Sequence, residues 1–341
     1  MPTNKAQSSA PSKTVSLDSL VALLADDMRA VNAMVMKRLS SDVPLIPELA
    51  GHLIAAGGKR IRPMMTLAGA KITRETGPKK EAIIGLATAV EFIHTATLLH
   101  DDVIDESNLR RGIKTTNKIW GNQSSILVGD YLLSRCFEIM VEDGDLEVLK
   151  LLSSTSAEIA QGEVLQLQHK GEADLLEETY LKIINLKTAA LFSAATKTGG
   201  CIAGSNLKEK DALGSYGKNL GLAFQIVDDA LDYSSRDVLF GKELGKDFYE
   251  GKTTLPIIIL YQRALGNERD FLVETFKKDK RTKDNFIETC KLIKKYNTVE
   301  ESFKRAEYFV SVSRDALGIF EESNEKKILQ NLTTFSLNRK F

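Results

Sequence analysis

Two stretches of this chain place carboxylates at a spacing that can do chemistry. The first is Leu98-Leu99-His100-Asp101-Asp102-Val103-Ile104-Asp105, followed by Arg110-Arg111-Gly112. The second is Phe224-Gln225-Ile226-Val227-Asp228-Asp229-Ala230-Leu231-Asp232. Residues four apart share one face of a helix, so Asp101 stands beside Asp105, and Asp228 beside Asp232. Carboxylates crowded at the end of an apolar helix repel one another and resist burial. A hard divalent cation relieves both problems. Mg2+ suits such a shelf, because it keeps several waters and takes one or two carboxylates together with substrate phosphates. Two shelves facing each other would clamp a diphosphate through Mg2+. One acidic triplet alone reads equally well as a solvated helix face; two, each led in by apolar residues, favour a site.

Basic and polar groups follow the same logic. Gly57-Gly58-Lys59-Arg60-Ile61-Arg62-Pro63 ends one helix at glycine and starts the next near proline, with cations between. That cluster can bind an anion, although alone it reads more simply as a helix end with solvated charges. It lacks P-loop spacing. Arg110 and Arg111 suit bidentate phosphate contacts. Lys187-Thr188 lies in a small, apolar stretch, where a lysine needs an anionic partner or must snorkel. Gln225 lies three residues before Asp228, near the same face. His94 precedes Asp101 by two helical turns and reads as well as a core histidine as a diphosphate contact. The Gly/Lys-rich segment from Gly241-Lys242 to Gly251-Lys252-Thr253-Thr254 could close over an anion.

The elements that must position these groups read as helices. Apolar residues recur at helical spacing over Leu17–Leu39, Glu48–Ala56, Met64–Thr73, Glu81–Asp105, Leu127–Glu138, Val148–Leu165, Leu181–Gly199, Leu213–Tyr233 and Ile257–Leu265,. Gly162 to Gln166 reads as the end of its helix. The run over Glu81–Asp105 is apolar nearly all round, which predicts a central, buried helix. From Asn267 onward the chain reads as amphipathic covering helices. No strand alternation, Cys/His metal spacing or Gly-x-Ser-x-Gly elbow occurs. The expected fold is all-α, one domain over 16–341 behind a disordered tail over 1–15.

Lys+Arg and Asp+Glu are equal at 46 each, which gives no global electrostatic case for nucleic acid or an anionic membrane. Three cysteines, Cys136, Cys201 and Cys290, lie far apart and fit a reducing cytosol better than a disulfide framework. Met1 to Lys13 is polar, without the apolar region of a secretory signal, and no run reads as a membrane span. The expected location is the cytoplasm.

Taken together, these blocks resemble the trans-isoprenyl (polyprenyl) diphosphate synthases: Gly57-Gly58-Lys59-Arg60-Ile61-Arg62-Pro63, both Asp-Asp-x-x-Asp runs with Arg110-Arg111-Gly112 and Phe224-Gln225, Gly241-Lys242 with Gly251-Lys252, and Lys187-Thr188. The resemblance runs from about residue 20 to the end. It implies an isoprenoid-synthase-type helical bundle around a central cavity, and a homodimer. It implies that Asp101, Asp105 and Asp228 bind Mg2+ while Asp102, Asp229 and Asp232 orient the ligands or bind through water. Lys187, Thr188, Gln225, Lys242 and Arg110 would hold an allylic diphosphate such as farnesyl or geranyl diphosphate, and Lys252 would bind substrate. Gly58, Lys59, Arg62, His94 and Arg111 would hold isopentenyl diphosphate. Small residues at Ala96 and Thr97, where short-chain members carry bulk, imply a long product of the quinone side-chain kind. A terpene cyclase would need no second diphosphate site, an inactive partner subunit would have lost motif residues, and a His-Asp phosphohydrolase would need more histidines than His52, His94, His100 and His169,.

Overall fold

The computed structural model describes residues 15–73, 80–234 and 245–338. The expected tail, apart from Val15, and Gly241-Lys242 lie outside these residues. Helices α1 (Val15–Leu23) and α2 (Ala25–Arg38) divide the first apolar run at Leu24. Helix α3 (Leu45–Ala55) begins before Pro47 rather than after it, because a proline in the first turn forfeits no intrahelical hydrogen bond. Pro63 sits equally early in α4 (Ile61–Ile72). Helix α5 (Lys80–Ile104) carries the first acidic run at its C-terminal end. A hairpin of two short strands, β1 (Leu109–Arg110) and β2 (Ile113–Lys114), follows and is the only sheet among the described residues.

Helices α6 (Thr116–Trp120), α7 (Asn122–Asp143) and α8 (Leu146–Gln168) come next. Gly162 is interior to α8 rather than its end. The expected single helix over Leu181–Gly199 is α9 (Glu177–Ile184), a π-helical turn at Asn185–Ala189 and α10 (Ala190–Ile202). Helix α11 (Leu207–Leu231) carries the second acidic run and starts on a capping box of Asn206 and Glu209, which satisfies its first free N–H groups. The short α12 (Lys246–Glu250) leads into α13 (Leu255–Arg263). The covering helices are α14 (Asn267–Lys277), α15 (Lys283–Tyr296), α16 (Thr298–Ala316) and α17 (Asn324–Asn338).

The chain is all-α, and α5 is the buried helix expected, with Leu86, Val90, Phe92 and Ile93 at most 1% exposed. Its length and apolar composition do meet those of a membrane span, contrary to the sequence reading; most of that stretch is buried in the core instead. Helix α10 lies against α4 at a glycine seam. A Cβ at Gly69 would stand 2.3 Å from the Thr196 carbonyl oxygen, and one at Gly199 would stand 2.0 Å from that of Thr66. Backbone cannot yield there as a side-chain tip can. Gly69→Ala is therefore expected to cost about 1–3 kcal/mol by overpacking, read as a lower urea midpoint; an unchanged midpoint would show that the seam can open.

Candidate active site

The acidic ends of α5 and α11, the turn before α4 and the π turn converge on one cavity of about 740 Å3. Asp101 and Asp105 line it from α5, and Asp228 and Asp229 from α11. Burial, then the charge of Glu163, pushes the Asp101 carboxyl up to about 7. Burial also works against Asp105, but Lys252 outweighs it and holds that carboxyl below its ordinary value. The Lys252 ammonium lies 2.8 Å from Asp105 and 2.8 Å from Glu250.

Two of the expected catalytic carboxylates do not reach the cavity. Asp102 is 1% exposed and takes both Nε and Nη2 of Arg110 at 2.8–3.1 Å. Asp232 accepts from the backbone N–H groups of Gly245, Lys246 and Asp247 at 3.2, 3.3 and 2.9 Å, capping α12. Helical phase turns Asp102 about 100° away from Asp101, whereas Asp232 lies just past the last residue of α11 and is taken up by the start of α12. Asp102 and Asp232 fix the loops beside the site. Arg110 lines the cavity, yet much of its guanidinium is committed to Asp102.

Asp229 anchors a polar chain. It accepts from the Tyr180 hydroxyl and from Gln225 Nε2, both at 2.7 Å, while Thr188 donates to Gln225 Oε1 at 2.9 Å. Burial lifts the Asp229 carboxyl to about 7 against those two hydrogen bonds. Lys187 and Thr188 reach the cavity from the π turn. Such turns often mark functional sites, and here the added residue sets the phase of both side chains.

The second basic group gathers around Arg62. Its Nη1 donates to His94 Nε2 at 3.1 Å, and its guanidinium lies 4.7 Å over the Phe192 ring. Burial brings Arg62 down to about 10. Burial first, then Arg62, Arg110 and Arg111, pushes His94 well below its ordinary value, so the ring is neutral and its proton sits on Nδ1. Arg60, left-handed at φ 49°, is ion-paired to the buried Glu91. Arg111 passes over Gly58, its Nη1 2.7 Å from where a Cβ would stand. Lys59 rests 4.5 Å over the Phe335 ring of α17.

Among the described residues, no three acidic, histidine or cysteine side chains converge closely enough to cage a metal by themselves. Paired carboxylates of hard oxygen, with room for water and phosphate oxygens, match the sparse protein ligation typical of Mg2+. Asp101, held short of full ionisation by burial and by Glu163, is the group a cation would relieve.

The sequence profile described as "Polyprenyl synthetase" matches residues 43–293. This chain belongs to that family. It is similar to the octaprenyl diphosphate synthase of Escherichia coli, 46% identical over 72% of this chain and 75% of that protein. The crystal structure of a decaprenyl diphosphate synthase from Rhodobacter capsulatus superposes with a TM-score of 0.90, at 44% identity over 95% of this chain and 99% of that one. A Caulobacter crescentus CB15 polyprenyl synthase, solved with calcium and isoprenyl diphosphate, gives 0.90 at 42% identity, covering 95% and 98% of the two chains. This polyprenyl synthetase therefore has the all-α isoprenoid-synthase fold, and is a prenyltransferase.

Several cavity residues of this synthetase escaped the sequence reading: Glu163 and Gln166 on α8, Tyr180 on α9, Glu91 on α5, and Asp247 on α12. Gly162-Glu163 inside an apolar helical run was the available signal. The neutral His94 yields a test. The unfolded chain protonates this ring near pH 6.5 and the folded one does not, so its burial costs stability as pH falls below about 6.5. His94→Gln removes that titration. Wild type is expected to lose about 1.4 kcal/mol more than the variant between about pH 7.5 and 5.5, measured by urea unfolding; equal losses would show that His94 titrates normally.

Proposed function

We propose that this synthetase condenses an allylic primer, farnesyl or geranyl diphosphate, with successive isopentenyl diphosphates to make a long all-trans polyprenyl diphosphate. It does so with Mg2+, in the cytoplasm, for a quinone side chain. The observation that carries the reading is that paired carboxylate shelves and a separate arginine cradle line one cavity.

Asp101, Asp105 and Asp228 would hold Mg2+, which neutralises charge building on the leaving diphosphate. Lys187, Thr188, Gln225 and Lys252 line the same wall and receive that diphosphate; Arg110 steadies the shelf through Asp102. Lys59, Arg62 and Arg111 hold the second diphosphate, with neutral His94 keeping Arg62 in place. No side chain needs to act as nucleophile. The C1–O bond of the primer breaks with its electrons leaving on diphosphate, and the isopentenyl double bond attacks C1. A proton then passes to the departed diphosphate. Leu98, Ile159, Ile184, Phe192 and Phe224 line the same cavity, an apolar surface that would keep water from the reacting carbon.

Long products are supported by the names of the relatives and by the small wall residue Thr97. Thr97 lines the cavity and donates to the His94 carbonyl at 2.8 Å. Ala96 is fully buried behind the cavity wall, and both positions remain proposed determinants of product length. Purified protein given farnesyl diphosphate, labelled isopentenyl diphosphate and Mg2+ is expected to yield a product ladder ending in long chains, abolished by EDTA. Thr97→Phe is expected to shorten the ladder while turnover persists; Ala96→Phe is expected to lower stability by about 1–3 kcal/mol through overpacking. Chains that stop at three or four isoprene units in wild type would overturn the long-chain reading.

A homodimer is supported by α7, whose Leu127, Phe137 and Val141 are 67%, 48% and 70% exposed and share one helix face. Single apolar residues are ordinary at surfaces, but a stripe of them marks an interface. Phe137→Asp is expected to halve the mass measured by analytical ultracentrifugation; a monomeric wild type would refute the dimer.

A further inference from the structure

Both lysines that face the allylic side are already engaged by carboxylates. Lys187 Nζ lies 2.6 Å from Glu163 and 2.5 Å from Gln166 Oε1, and Lys252 lies 2.8 Å from Asp105. Glu163 is the unexpected partner. It reaches the cavity from α8, where Gly162 lets that helix lie against the π turn. A Cβ at Gly162 would stand 2.8 Å from Leu186 Cβ and from Lys187 Cγ, and 2.9 Å from the Lys187 amide nitrogen. The contact is therefore built into the backbone of both elements. The Glu163 and Lys187 side chains are only 22% and 18% exposed, so water screens the pair weakly.

Resting on the function proposed above, we infer that Glu163 is a specificity-determining residue that makes the allylic site accept a metal-bound diphosphate and reject the bare anion. In the empty site Lys187 is neutralised by Glu163. A bare diphosphate entering the cavity meets the carboxylates of Asp101, Asp105, Glu163 and Asp228 on its wall with this ammonium already occupied. A diphosphate carrying divalent cations brings the positive charge that satisfies Asp101 and Asp105. Lys187 can then turn from Glu163 to the phosphate oxygens without leaving the carboxylates uncompensated. Glu163 thus acts through Lys187 rather than on the reacting atoms.

The test needs no catalysis. Inorganic diphosphate is titrated by calorimetry into the full-length protein, in EDTA and again with Mg2+. Wild type is expected to bind one diphosphate, at the arginine cradle, in EDTA, and a second, at the allylic side, tightly only with Mg2+. Glu163→Gln, and Glu163→Ala as a second variant without the charge, are expected to bind that second, bare diphosphate in EDTA roughly ten- to a hundredfold more tightly than wild type, the gain of one charge-assisted hydrogen bond. Glu163→Asp keeps the charge and is expected to behave as wild type. The gain must vanish when Glu163→Gln is combined with Lys187→Met, the coupling that a double-mutant cycle isolates. No gain in either charge-removing variant, or a gain that survives the loss of Lys187, overturns the inference. Failure of wild type to bind diphosphate even with Mg2+ overturns the functional reading beneath it.

Discussion

Burial of like charge is the constraint that the rest of this structure answers. Carboxylates from α5, α8 and α11 face one cavity, and an unbalanced charge in such a place costs several kcal/mol even after the surroundings relax. The chain meets that cost locally and in different ways at each position. Asp102 is given an arginine, Asp232 the free N–H groups of a helix start, and Asp229 a tyrosine and a glutamine. Asp105 and Glu163 hold lysines. Asp101 is left with the least, and burial, then Glu163, displaces its carboxyl toward neutrality. The proposed cation belongs where compensation by protein is weakest.

The arginine cradle solves the opposite problem. Arg60 is balanced by Glu91, while Arg62 is buried among Phe192, neutral His94 and other cations, and its hold on its proton is weakened accordingly. A site short of negative charge lies beside one short of positive charge. On the proposed function, a diphosphate held at the first would need no metal, whereas one held at the second would, so a single cavity would tell two diphosphates apart by charge alone.

Most of the fold was legible because apolar periodicity in α5, α8 and α11 is strong and their partners are ordinary helix faces. The first shelf was legible because Asp101 and Asp105 keep their four-residue spacing, whereas in the second Asp229, not Asp232, joins Asp228 at the cavity. What escaped was phase and partner. Nothing local distinguishes Asp102 from Asp101: which of two adjacent aspartates turns inward depends on where α5 meets the β1–β2 hairpin and α6. Ala96 and Thr97 pose the same ambiguity one turn away. Glu163 and Tyr180 gain their roles only across helix contacts. Gly162 to Gln166 read as the last turn of the helix, whereas the helix runs on to Gln168 and Gly162 marks the approach of another backbone. Lys242 lies outside the described residues.

The π turn has a consequence for what kinds of sequence change the site tolerates. Tyr180 lies before the turn, Lys187 and Thr188 within it and Phe192 after it, and all four face the same cavity. Each residue of an α-helix advances the chain by about 100°. Deleting one residue of Asn185–Ala189 would restore an unbroken helix and rotate one half of this set away from the other. Substitutions here can be absorbed one side chain at a time, but insertions and deletions cannot. Length between Tyr180 and Phe192 is thus fixed more tightly by the geometry than the residues that fill it.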